Sequence, residues 1–145
     1  MTKRNTLSWL VVLLVLFLYR VLSQLVQYFV NIPWLPDFGD WHSATIPYAL
    51  LFLSQIVIVT VIVNTILNIQ RDKYDFKKRR ASFLLWIGGA YFLFMLIRLI
   101  LSLTFMSQHP WFGATLPALF HLVLAAVFIV TGLYETQGYR RELDE

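Results

Sequence analysis

The sequence predicts an all-α integral membrane protein, with four transmembrane helices in an up-down-up-down bundle and both termini cytoplasmic. Residues 1–145 read as a single transmembrane domain. Three observations carry this prediction. First, the chain is 59% hydrophobic and only 14% charged, against about 45–50% and about 25% in a soluble domain. A chain of 145 residues is too short to bury that excess on its own. Second, the apolar residues gather into four continuous runs, at 7–30, 46–69, 81–106 and 114–134. Each has about the 20 residues needed to cross ~30 Å of hydrocarbon. Third, the basic residues fall in alternate connections, which orients the runs.

The first run, 7–30, reads as a retained helix and not a cleaved signal. Its apolar stretch is too long, and no small-x-small site follows it. Backbone groups in hydrocarbon must bond within their own segment, so each run is a helix. Continuous apolarity also argues against barrel strands, which alternate and need only about 9–11 residues. The second run, 46–69, follows Ser43 and Thr45, both suited to cap it, and has Pro47 where a first turn tolerates a missing N–H. The third, 81–106, follows the most basic stretch of the chain. The fourth, 114–134, has Thr115 for a cap and Pro117 in its first turn.

Lys3 and Arg4 precede the first run, and Arg140 and Arg141 follow the fourth. The link between runs two and three holds Arg71, Lys73, Lys77, Lys78, Arg79 and Arg80. The links 31–45 and 107–113 hold no Lys or Arg. That is a positive-inside pattern, with the middle link and both termini in the cytoplasm. The net charge of +4 therefore encodes orientation, and nucleic acid is not an expected partner. Lys77, Lys78, Arg79 and Arg80 are candidates for docking anionic lipid or a cytoplasmic partner. Each basic residue beside an anionic leaflet adds about 1 kcal/mol of attraction. Short connections predict that sequential helices are antiparallel neighbours.

Polar residues inside the runs carry the functional signal. Arg20, Gln24, Gln27 and Asn31 lie at offsets of four, seven and eleven, which is one helix face. A central arginine costs about 2.5–3.5 kcal/mol on insertion scales, so this face turns inward. In the third run Gly88, Tyr91, Met95, Arg98 and Ser102 share a face. In the fourth, Ala114, Ala118, His121, Ala125 and Gly132 do, and small residues mark the packed side of a membrane helix. The second run has Tyr48 and Gln55 on one stripe, and Ser54, Asn64 and Asn68 on another. Arg20, Gln24, Gln55, Arg98 and His121 are thus expected to meet at mid-to-outer depth, with two arginines and no carboxylate among them. Inward arginines need an anion or several carbonyls. Snorkelling of Arg98 to the interface is the structural alternative.

Several classes of chemistry are absent. With no cysteine there are no disulfides, thiolate nucleophiles or zinc–thiolate sites. The runs hold no Ser-His or Ser-Lys arrangement, no helical His-Glu zinc motif and no pair of carboxylates. No inverted repeat marks a transporter. No metal site is predicted and the sequence names no cofactor. The expected function is non-catalytic: binding an anionic amphiphile or lipid, or serving as a small subunit of a membrane complex, through the outer-half polar site. The alternative is a redox-complex subunit holding quinone or haem near His121. Anionic membrane lipids, a second copy or a larger membrane complex are the expected partners. The expected location is the bacterial inner (plasma) membrane.

Overall fold

The structure is a computed structural model that describes residues 1–30, 32–41, 47–104 and 115–144. Asn31, His42, Ser43, Thr45, His109 and Trp111 lie outside the described residues, as do the caps expected at Ser43 and Thr45. Among the described residues every secondary-structure element is a helix, in the order α1 (Lys3–Phe29), α2 (Phe38–Trp41), α3 (Tyr48–Gln70), α4 (Lys78–Leu103) and α5 (Thr115–Asp144). Four of these, α1, α3, α4 and α5, are long and apolar enough to cross a membrane. Their outward faces fit that setting. Val15, Leu53, Val57, Phe83 and Leu93 are all more than half exposed, a surface that water would penalise and lipid accepts.

The helices match the four apolar runs, with differences at their ends. α1 begins four residues early because Thr2 caps it, its side chain accepting from the Asn5 amide at 3.3 Å. α5 continues ten residues past the apolar run, to Asp144. Nothing after Tyr134 breaks a helix except Gly138, and Gly138 has a packing role. The Phe76 ring occupies the space that a Cβ on Gly138 would need. α2 is a single turn that composition did not announce, seated against α5 and α1. Tyr28, Phe38 and Tyr48 join α1, α2 and α3 there, the Tyr28 and Tyr48 rings stacking at 4.8 Å.

Three antiparallel contacts build the body. α3 packs on α1, α1 on α5, and α5 most extensively on α4. The directions follow from the contacts. Lys3 at the start of α1 pairs with Asp72 just after α3, at 2.6 Å. Gly88 of α4 meets Phe128 and Ile129 of α5, and Gly132 of α5 meets Leu84 and Leu85 of α4. One glycine from each helix thus lets the two backbones close together. The core between α1, α3 and α5 is Leu10, Leu13, Ile62, Ile69, Val127 and Tyr134.

Sequential packing therefore holds for α1 with α3 and for α4 with α5. It does not hold for α3 with α4, which share at most marginal contact. α1 and α5 carry the small and inward polar faces, bury the larger share of their apolar lengths and occupy the middle. α3 and α4 flank them and leave a lateral cleft. Lys3, the link 71–77 and the last turns of α5 gather at one end of the molecule.

Candidate functional site

The polar face of α1 is buried as its spacing predicts. Arg20, Ser23, Gln24 and Gln27 are all enclosed, with Arg20 6% and Gln24 0% exposed. Gln27 closes the end of the helix, its Oε1 accepting from the Ile32 amide at 3.1 Å. Gln24 faces α3, where Gln55 Nε2 donates to its Oε1 at 3.2 Å. Gln55 is as deeply buried as Gln24. The Arg20 guanidinium lies 5.8 Å from the centre of the Phe120 ring of α5, a cation–π distance. It is also within electrostatic reach of Tyr48 and Tyr91.

α4 and α5 supply the other side. The Tyr91 hydroxyl and His121 Nδ1 are 2.7 Å apart, with the rings edge-to-face at 5.9 Å. Arg98, 3% exposed, reaches Tyr91 electrostatically, and both arginines reach His121. Ser102 and Thr115 close the seam beyond it with a hydroxyl contact of 2.7 Å. Arg20, Gln24, Gln55, Arg98 and His121 therefore gather at the end of the bundle away from the basic link, with Tyr48 and Tyr91 between them. Sequence spacing had put both tyrosines on inward stripes without giving them a part in the site.

The polar balance of this cluster is uneven. Arg20 Nε, Gln24 Nε2, Gln55 Oε1 and the Tyr48 hydroxyl are buried and have no hydrogen-bond partner among the described residues. Among those residues no carboxylate forms an ion pair with Arg20. Asp37 is exposed and so is Asp40, and neither folds back onto Arg20. Three donors and one acceptor are thus left open around a guanidinium, an arrangement suited to an anionic oxygen with a second polar group beside it. Among the described residues no three His, Asp or Glu side chains gather to hold a metal ion.

At the opposite end the structure holds an ion pair that sequence reasoning missed. Glu135 is 0% exposed. Its Oε1 accepts from Arg80 Nε at 2.6 Å and from the Lys77 amide at 3.0 Å. The Arg80 guanidinium also donates to the Asp75 carbonyl and lies over the Tyr74 ring at 5.0 Å. Burial, reinforced by the Glu135 carboxylate, pushes the Tyr74 hydroxyl up to about 12. A signal for Glu135 was present: it continues the small-residue face of the fourth run one turn past Gly132. Of the four docking candidates, Arg80 is thus engaged by Glu135, and Lys77 pairs with Asp75 at 2.9 Å between two exposed side chains. Lys78 and Arg79 are exposed at the start of α4.

No family model, no curated protein and no solved structure matches this chain.

Proposed function

We propose that this chain is a non-catalytic membrane protein that binds an anionic amphiphile, its phosphate or carboxylate held by Arg20. The observation that carries the reading is the set of open polar atoms around that guanidinium. A buried cation with an open N–H, beside one open amide nitrogen, one open amide oxygen and an open phenol, is costly in hydrocarbon. One anionic headgroup satisfies it. Gln24 and Gln55 position that headgroup, Arg98 adds positive charge, and the Tyr91–His121 pair offers a further polar contact.

In this reading the four spans run up-down-up-down, and the basic end lies in the cytoplasm by the positive-inside rule. The amphiphile then enters from the outer leaflet. Lys77, Lys78, Arg79 and Arg80 rest on the inner leaflet or on a partner in a larger complex, and the membrane is a bacterial inner membrane. A quinone near His121 is the second reading. The 2.7 Å Tyr91–His121 contact favours it, since such a pair can donate to a ring carbonyl. An absorption spectrum of the purified protein tests the haem variant of that reading, which requires a Soret band.

Native mass spectrometry of the gently solubilised protein tests the main reading. The wild type should retain an anionic adduct that Arg20→Gln loses and Arg20→Lys keeps in part, because lysine lacks the planar two-point fork. Equal retention by all three would remove Arg20 from ligand binding.

A further inference from the structure

The lateral cleft between α3 and α4 has a volume of about 360 Å³ and is floored by α5. Its lining changes character along the bundle. Val61 and Phe128 make the mid-membrane stretch, Asn64 and Thr131 come next, and Asn68 and Arg80 close it at the basic end. Asn64 and Asn68 stand one helical turn apart, about 6 Å along the axis, and both are exposed. Neither side-chain amide has a hydrogen bond within the described residues, whereas Ser54, Thr60 and Thr65 on the same helix each bond a carbonyl one turn back. A bare amide in hydrocarbon is unfavourable, and two on one face demand a polar occupant. Arg80 commits one N–H to Glu135 and one to the Asp75 carbonyl, so donors of its five remain free.

From this gradient we infer that the cleft seats one phospholipid of the leaflet at the basic end. An acyl chain lies along Val61 and Phe128. Ester carbonyls accept from the Asn64 and Asn68 amides. The phosphate meets the remaining N–H groups of Arg80, in the positive field of Lys78 and Arg79. Chain, ester and phosphate occur in that order along a lipid, and apolar, amide and guanidinium groups occur in that order along the cleft. A partner helix has no such order and is ~10–12 Å across, whereas the cleft has the size of a small-molecule pocket, about 300–1,000 Å³. The site is separate from Arg20 and rests only on the basic end facing a leaflet.

The test is a titration of the detergent-solubilised full chain with dioleoylphosphatidylglycerol, read by native mass spectrometry. Asn64→Leu with Asn68→Leu should weaken lipid binding about tenfold, the effect of two lost hydrogen bonds. Val61→Trp, which fills the apolar stretch, should weaken it comparably. Both variants should keep wild-type helicity and thermal unfolding, since the bonds at these positions use backbone carbonyls and none of the three side chains makes an internal hydrogen bond. Free glycerol phosphate should not compete. Arg20→Gln should leave this binding step in place, so that loss of the Arg20 site and loss of the cleft are distinguishable. Unchanged binding in either cleft variant overturns the inference, and so does competition by glycerol phosphate. Dissociation of an oligomer in the Asn64→Leu, Asn68→Leu variant also overturns it, by putting a second copy in the cleft.

Discussion

Arg20 and Glu135 are both nearly or wholly buried, but their surroundings differ. Glu135 is met by Arg80 and the Lys77 amide, so its charge is compensated. Arg20 has an aromatic ring and neutral polar groups around it. Removing the Glu135 charge should therefore hurt folding. Glu135→Gln keeps the oxygen that both the Lys77 amide and Arg80 Nε use but leaves the Arg80 charge without its counter-ion, and should lower stability by about 2–3 kcal/mol. That is less than the ~3–5 kcal/mol of a fully buried pair, because Arg80 is half-exposed. Thermal unfolding in detergent reads it, and a loss under about 0.5 kcal/mol would mean the pair does not hold this end together. Arg20 was visible in the sequence because a membrane arginine in register with Gln24 and Gln27 has no cheap lipid-facing solution. The pairing of Glu135 with Arg80 was not: spacing puts Glu135 on the packed face of the fourth run, but each of the two lies at the end of its run, where a charge needs no partner to explain it. That the two meet depends on how α4 packs against α5, which neither run states.

At the scale of elements, the α4–α5 seam is set by close backbone approach. A Cβ on Gly88 would sit 2.9 Å from Phe128 Cβ and 3.2 Å from the Ile129 amide nitrogen, and backbone does not yield easily. Gly89, one residue on, has nothing within 4 Å. Gly88→Ala should therefore cost about 1–3 kcal/mol of stability through overpacking. Gly89→Ala should be neutral or slightly stabilising, since alanine is the better helix former. The same detergent melts check both, and equal effects would contradict the seam. Helix existence and order were legible because each run is long enough to span and is bounded by charge or proline. The pairing of helices was less so. Chain connectivity favours α3 beside α4, but the faces decide otherwise. α1 and α5 hold the inward polar and small residues that need a protein neighbour on both sides, while α3 presents Val61, Asn64 and Asn68 outward. The single turn α2 and the long tail of α5 were also invisible to hydropathy, since both are polar or mixed segments held by contacts such as Phe76 against Gly138.

For the whole molecule, the contacts bring Lys3, the link 71–77 and the end of α5 together, and the proposed orientation turns that end to the cytoplasm. Single cysteines at Ser43 and Ser107 should then react with an impermeant thiol reagent on intact cells, and one at Asp72 should not. Labelling of Asp72 would reverse the orientation and move the Arg20 site to the inner leaflet. The composition and the four apolar runs made the helical, membrane-spanning architecture readable, whereas no motif in the chain names the ligand. The central claim is that the Arg20 cluster is a binding site and not a structural knot. Thermal unfolding of the wild type and of Arg20→Gln, both carrying Asn64→Leu and Asn68→Leu to remove the cleft site, each with and without added dioleoylphosphatidylglycerol, tests it most directly. Losing one partner of a buried charged contact typically costs about 2–5 kcal/mol, so the lipid should raise the wild-type Tm and do so far less in the variant. Without lipid the variant should melt at or above the wild type, because an uncompensated buried charge has been removed. An Arg20→Gln protein that unfolds on its own, or that gains as much from lipid as the wild type, would contradict the claim.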